Sequence, residues 1–351
     1  MALLRRSTCF SKSDSAEDKL VYSSKTISVT VDTEEEGLWG GSFPVRNCTT
    51  ENLRGLERFQ NLCDRYSLSP TYLIDAPVLE DKRAINDLKK WMLQGRCEIG
   101  AHTHPWCNPP LVAENVSNRD SFFCNLPNDL QFEKLKWLTD RITDVFDQPP
   151  RTYRAGRYGF STASIPHLCE LGYVLDSSVL PFFDYSAEDG PDYRQSQRKP
   201  HVISDPVSKH SIWELPVSTG FSSPGYYTLR KKLWRCFGGP LGRKTKLAGL
   251  SVRLGLTRHL KLSPEGTQWR ELKGLVDGLV QDGINHIVLM LHSTSLMPGF
   301  SPYCKTPEAL ENLYDRLEKT LQYAIEHHHF QGAALLDVAT KLNTTFAPNH
   351  Y

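Results

Sequence analysis

The stretch Cys97-Glu98-Ile99-Gly100-Ala101-His102-Thr103-His104-Pro105-Trp106 reads as a strand that runs apolar and ends in two histidines. Side chains at i and i+2 of a strand point to one face. The imidazoles of His102 and His104 therefore project together at the strand's C-terminal edge. Pro105 has no N–H to donate and ends the ladder. Two convergent imidazoles are a common start to a zinc site.

The same form, an apolar run that ends in polar residues, recurs along the chain. Thr26-Ile27-Ser28-Val29-Thr30-Val31 alternates and runs into Asp32-Thr33-Glu34-Glu35-Glu36, and the strongly apolar His286 to Leu291 runs into His292. Thr71 to Ile74, Thr152 to Arg154, Tyr173 to Leu175 and Ile212 to Val217 read as further strands, and Ala333 to Leu336 as a last one. Helical spacing fills the intervals, from Glu51 to Tyr66, Ala84 to Leu93, Asp129 to Phe146, Thr162 to Leu171, Trp269 to Val280 and Pro307 to His327. Strand and helix in repeated alternation imply parallel strands with helices outside. In a barrel the strand ends meet on one face, where sites are built. Five separate segments then deliver Asp32, His102, Arg154, Asp176 and His292 to one rim.

At 351 residues the chain is long for one domain but within reach of an α/β barrel with insertions. Apolar residues make up 39% and charged residues 23%, which suits a soluble globular protein. A net charge of +1 gives no global field that would draw nucleic acid. The start, Met1 to Ala16, holds no apolar run of signal-peptide length, and no stretch of about 18 apolar residues predicts a membrane span. Nine cysteines without a C-x-x-C pair read as reduced thiols of a cytoplasmic protein. Residues 1–25 are polar and read as a flexible tail, and residues 26–345 as the barrel.

Residues 222–264 interrupt that pattern. Lysine and arginine recur from Arg230 to Lys261 without one Asp or Glu, interleaved with Leu229, Leu233, Trp234, Phe237 and Leu247. This predicts one or two basic amphipathic helices inserted between two barrel strands. The insertion either packs over the barrel with its charges solvated, or offers a surface to a membrane or a lipid-linked sugar phosphate.

Taken in order, Val31-Asp32-Thr33-Glu34, His102-Thr103-His104, Arg154-Ala155-Gly156-Arg157-Tyr158-Gly159 and Leu291-His292-Ser293 resemble the successive motifs of the polysaccharide deacetylase family of carbohydrate esterases. The segments Ala101 to Trp106 and Ser293 to Gly299 look like those of a bacterial surface-polysaccharide subgroup. The resemblance spans roughly residues 26–340. It implies a distorted (β/α)7 barrel and one divalent metal, which in that family is usually Zn2+. The family's adjacent Asp-Asp is here Asp32-x-Glu34, and the position four after His102 is Trp106, which cannot ligate. His104 then has to supply the second imidazole.

On this resemblance Glu34, His102 and His104 hold the metal, and Asp32 is the general base for the attacking water. His292 is the general acid for the departing amine, Arg154 orients Asp32, and Asp176 orients His292. A backbone N–H at Arg157 or Tyr158 stabilises the oxyanion. Trp106, Trp39 and Tyr158 are either platforms for a sugar ring or plain packing. The implied activity is metal-dependent removal of N-acetyl groups from a polysaccharide or saccharide intermediate. Two alternatives stay open: a metal-independent hydrolase of a small amide or ureide on the same barrel, and a catalytically silent carbohydrate-binding protein.

Overall fold

β-Branched and apolar residues alternate or run together in seven segments that pair as parallel strands. A computed structural model of the protein describes residues 25–41, 43–112, 115–221 and 259–346. The strands are β1 (Thr26–Thr33), β2 (Thr71–Ile74), β3 (Glu98–Thr103), β4 (Thr152–Ala155), β5 (Leu175–Asp176), β7 (Ser211–Glu214) and β10 (His286–His292), in the spatial order β10-β1-β2-β3-β4-β5-β7. β6 (His201–Ser204) adds an antiparallel edge on β7, and β11 (Gln331–Gly332) lies parallel beside β1. Every residue of β1, β2 and β4 is buried, as expected of strands enclosed on both faces.

The sheet curls until β7 approaches β10, but the two do not pair directly. Ser218 bridges them: its N–H donates to Val288 O at 3.2 Å and its Oγ accepts the Val288 N–H at 2.8 Å. A hairpin of β8 (Thr219–Phe221) and β9 (His259–Lys261) continues from there. Leu262 donates to Ser218 O at 2.7 Å, and Met290 donates to Leu262 O at 3.0 Å. The result is a distorted (β/α)7 barrel. Register sets the site: Asp32 pairs with His292 and His102 with Arg154, so each pair stands level on neighbouring strands.

Helices cover the outside. In α1 (Leu56–Arg65), Leu56, Phe59, Leu62 and Cys63 fall on one buried face. Each large apolar side chain buried there contributes about 1.5–3 kcal/mol. α2 (Lys82–Leu93) starts where the Asp81 carboxylate accepts the N–H groups of Arg83 and Ala84, both at 3.0 Å. α3 (Asn128–Phe146), α4 (Ile165–Glu170), α5 (Trp269–Gln281) and α6 (Pro307–Gln322) follow their strands, and the last turn after α6, Tyr323–His327, widens to a π-turn.

One expected strand is a helix. Ala333 to Leu336 leads into α7 (Leu335–Phe346). Leu335, Val338, Ala339 and Leu342 are buried at helical spacing. The first N–H groups find side-chain acceptors at the bottom of the barrel: Leu335 donates to Thr71 Oγ1 at 3.1 Å and Leu336 to Glu98 Oε2 at 3.1 Å. A four-residue apolar run does not tell strand from helix; these acceptors decide it.

Residues 1–24 of the expected tail and the basic stretch 222–258 lie outside the described residues. The end of that stretch, residues 259–264, supplies β9 and the segment that closes the barrel.

Candidate metal and catalytic site

The donor atoms of Glu34, His102 and His104 converge just past the ends of β1 and β3. The two Nε2 atoms are 3.1 Å apart, and Glu34 Oε2 lies 3.7 Å from the first and 3.6 Å from the second. Donors at ~2.0–2.2 Å from one tetrahedral ion stand ~3.3–3.6 Å apart, so the set has the right size. All three side chains are buried.

The outer nitrogens fix which ring atoms face inward. His102 Nδ1 is 3.0 Å from Arg154 O, and a carbonyl only accepts, so Nδ1 carries the proton and Nε2 presents a lone pair. His104 Nδ1 is 2.9 Å from Glu35 Oε2. Burial raises the pKa of Glu35, but the charge of His104 and hydrogen bonds with Asp75, His104 and Trp106 outweigh it and bring the value to about 2. Glu35 is therefore an anion that accepts the His104 proton, a carboxylate–histidine arrangement typical of metal ligands. Beside it Asp75 is held well above the usual carboxylate range by burial and the Glu35 charge, so the pair shares a proton.

The chemistry of the donors fits a cation. Glu34 Oε1 is buried with no partner among the described residues. Burial drives the Glu34 pKa well up, as do the charges of Asp32, Glu35 and Asp75, against the opposing pull of His104. A buried carboxylate facing two imidazoles is costly unless a positive charge sits among them.

Asp32 stands beside this triad. Its Oδ1 accepts Arg154 Nη1 at 2.5 Å, and the fully buried guanidinium is pinned by Thr30 Oγ1 at 2.9 Å, Ser177 O at 2.7 Å and Ser177 Oγ at 3.0 Å. Burial alone would raise the Asp32 pKa; Arg154, His102 and His292 reverse that and lower it to about 2. The other oxygen, Oδ2, is 4.0 Å from His292 Nε2.

His292 is oriented by Glu265, not by Asp176. Its Nδ1 is 2.8 Å from Glu265 Oε2, and its backbone N–H donates to Oε1 at 3.0 Å. Ser295 Oγ donates to Oε1 at 2.5 Å. Burial raises the Glu265 pKa, but His292, Lys261 and Ser295 bring it to about 2. Asp176 does not serve, because its carboxylate is engaged elsewhere: it accepts Ser178 Oγ at 2.6 Å and faces Glu214, its register partner. Both acids are buried and raised, a pair that shares a proton behind Arg154.

Trp106 is also corrected. It is 1% exposed, stacked on His104 at 4.3 Å and tilted against Phe43 at 4.8 Å, with Nε1 donating to Glu35 Oε1 at 2.5 Å. Neither ring face is left for a sugar. The loop that carries it is tied down by Lys134, whose buried Nζ donates to the carbonyls of Pro105, Asn108 and Pro110 at 2.9, 2.5 and 2.8 Å.

After β4 the chain turns back through two consecutive left-handed residues, Arg157 (φ 53°) and Tyr158 (φ 57°). Gly156 lets this turn lie against the metal ligands, since a Cβ there would stand 2.3 Å from His104 Cδ2. The Arg157 guanidinium binds Glu188 at 2.5 Å and Asn118 at 2.9 Å, and so joins two loops. Tyr158 is buried, with its carbonyl accepting Tyr193 Oη at 2.6 Å.

A cavity of about 310 Å³ opens above these groups, lined by Asp32, Glu34, His102, His104 and His292 below and by Trp39, Tyr158, Tyr185, Glu188 and Lys261 on its walls. Trp39 is 37% exposed, stands edge-on to His292 at 5.0 Å and donates Nε1 to Thr294 Oγ1 at 3.3 Å. The structure thus joins Asp32, Glu34, His102, His104, Arg154 and His292, adds Glu35, Asp75, Glu265 and Lys261, and sets Asp176 apart.

No family model matches the chain, and no curated protein is similar to it at a significant level. Solved structures are similar in fold. A protein assigned as a polysaccharide deacetylase from Mycobacterium smegmatis aligns over 91% of each chain at 15% identity and a TM-score of 0.53. One assigned as a glycoside hydrolase/deacetylase from Parabacteroides distasonis aligns over 93% of this chain and 73% of its own, at 10% identity and a TM-score of 0.59. Puue allantoinase aligns over 92% and 91%, at 13% identity and a TM-score of 0.52. The chain has the fold that these proteins share. Proteins of different activity carry that fold, so the activity has to be argued from the site.

Proposed function

We propose that the protein is a metal-dependent amide hydrolase that removes N-acetyl groups from a saccharide. The observation that carries this reading is the convergence of His102 Nε2, His104 Nε2 and Glu34 Oε2 beside an arginine-held Asp32. A divalent metal held by these three, with zinc the best match to two imidazoles and a carboxylate, supplies Lewis acidity toward the amide carbonyl and the attacking water.

The chain's own groups carry the protons. Asp32, ionised and aimed by Arg154, accepts the proton of the attacking water at Oδ2. The tetrahedral oxyanion needs a donor, and a backbone N–H of the left-handed turn at Arg157 and Tyr158 is the one proposed. His292 Nε2 then protonates the leaving nitrogen, and Glu265 at Nδ1 keeps the ring oriented and stabilises its charged form. Trp39 offers a partly open aromatic face to the sugar.

The likeness to polysaccharide deacetylases supports this reading, and the intact base, acid and metal donors speak against a silent binder. We place the protein in a reducing compartment: nine cysteines, of which the seven described are free thiols, support that. The basic run ahead of β9 supports contact with an anionic membrane or a lipid-linked sugar, which vesicle binding that fades with salt would test.

The deciding experiment is elemental analysis of the purified protein beside His102→Ala/His104→Ala, followed by hydrolysis of an N-acetylated oligosaccharide. One divalent metal per chain, lost in the double variant, together with acetate release lost in Asp32→Asn, is the expected result. A wild-type protein free of metal after incubation with zinc overturns the reading and favours metal-independent amide or ureide hydrolysis.

A further inference from the structure

We propose that Lys261 is a specificity-determining residue that binds an anionic group, a carboxylate or a phosphate, on the saccharide whose amide is cleaved. The inference rests on the hydrolase reading for its substrate and on the geometry of the cavity wall for the anion.

Two side chains of lysine or arginine line the cavity, Arg157 and Lys261. Arg157 is already neutralised, with Glu188 at 2.5 Å and Asn118 at 2.9 Å. Lys261 is not. Among the described residues its Nζ has one hydrogen bond, a long one of 3.4 Å to Tyr158 Oη, and its nearest carboxylate oxygen is Glu265 Oε2 at 3.9 Å. That oxygen is committed to His292 at 2.8 Å, and its twin Oε1 accepts from Ser295 and from the His292 N–H. An ammonium has three donors. This one is 20% exposed at the cavity wall, and two of them meet no acceptor among the described residues.

The surroundings favour a charged acceptor. The ammonium rests 5.8 Å from the centre of the Tyr158 ring, and a hydrogen bond from it to an anion is worth more than one to a hydroxyl. The connection Lys261–Glu265–His292 also fixes where the anion sits. It places the ammonium one carboxylate away from the imidazole that faces Asp32, so the anion belongs to the sugar unit that carries the amide or to the one next to it. Lys261 comes from β9, the hairpin strand beside the gap of the barrel and not one of its seven parallel strands. Specificity is therefore added by the segment that closes this barrel.

The test uses the full chain loaded with zinc. Three probes are compared: a neutral N-acetylhexosamine, its 6-phosphate, and an N-acetylhexosaminuronate. A charge-assisted hydrogen bond corresponds to about a 10- to 100-fold preference in kcat/KM for an anionic probe over the neutral one. In Lys261→Met that ratio falls toward one, and Lys261→Arg keeps part of it. The two anionic arms separate phosphate from carboxylate. A ratio near one in the wild type, or a Lys261→Met that slows all probes equally and leaves the ratio intact, overturns the proposal and makes Lys261 a positioning residue for Glu265. Calorimetric binding of inorganic phosphate and of D-glucuronate, wild type against Lys261→Met, reads the same site without turnover. Binding lost in the variant upholds the anion site even where N-acetyl hydrolysis fails; equal binding or none in the two proteins overturns it.

Discussion

Glu35 Oε2 lies 2.9 Å from His104 Nδ1 and thereby turns Nε2 of His104 toward Glu34 and His102. The carboxylate is outside the set of Glu34, His102 and His104, yet it decides how His104 is presented to that set. Glu35→Gln replaces an anion with an amide that can no longer hold both the imidazole and the Trp106 indole as acceptors. Metal affinity should fall about 10–100-fold while the stoichiometry stays at one. Titration against a chelating competitor measures it, with Glu34→Gln, which removes a direct ligand, as the more severe comparison. Unchanged affinity in Glu35→Gln would remove Glu35 from the site's design.

Two tryptophans near the cavity divide their work by exposure. Trp39 keeps an open face and Trp106 does not, since the latter is 1% exposed between two rings. Trp39→Ala should raise KM for the saccharide about 3- to 10-fold, the size of a lost aromatic contact, with metal content unchanged. Trp106→Phe keeps the stack but removes the indole N–H from Glu35, so its effect should appear in metal affinity and leave KM in place. Steady-state kinetics beside metal analysis separate the two, and a KM effect confined to Trp106→Phe would reverse the assignment.

Much of this arrangement is legible in the sequence because it follows from period and position. Strands that end in Asp32, His102, Arg154 and His292 must bring those residues to one rim if they run parallel in one curled sheet, and they do. What distance along the chain hides is who partners whom. Asp176 and Glu265 are both single acids near strand ends; the closure of the barrel puts the second beside His292, and the pairing of β5 with β7 puts the first beside Glu214. Glu265 follows a run of basic residues that drew attention to charge and away from the one acid at its end. Glu35 was visible only as one of three successive glutamates, and Asp75, at the end of β2, carried no motif at all. The helix α7 was hidden for another reason: its start is fixed by Thr71 and Glu98, more than 200 residues earlier.

Arg154 and Asp32 form a buried pair in which each group depends on the other. Arg154→Met leaves the Asp32 carboxylate without its countercharge, and removing one partner of such a pair costs about 3–5 kcal/mol. The double variant Asp32→Asn/Arg154→Met removes the stranded charge and should regain part of that loss. Urea unfolding of the wild type, both single variants and the double variant closes the cycle. Additive losses would show that the two side chains do not act as a pair. In Arg154→Met the Asp32 pKa should also rise from about 2, since burial then acts with less opposition, so the acid limb of kcat/KM moves to higher pH.

Glu265 should make stability depend on pH in a defined window. Its pKa is lowered from the ordinary 4.5 to about 2 in the folded protein. A depressed acid stabilises the native state fully above its unfolded pKa and loses that contribution as pH falls through the folded value. The window is therefore about pH 4.5 down to 2, and the contribution is on the order of 3 kcal/mol. Glu265→Gln cannot titrate, so its unfolding free energy should lie below the wild type at pH 7, and the gap should narrow as pH drops from 5 to 3. Guanidinium unfolding at pH 7, 5, 4 and 3 measures this directly. A gap that stays constant across the series would mean that Glu265 stabilises through neutral hydrogen bonds with Ser295 and the His292 backbone, not through the charge it shares with the His292 ring.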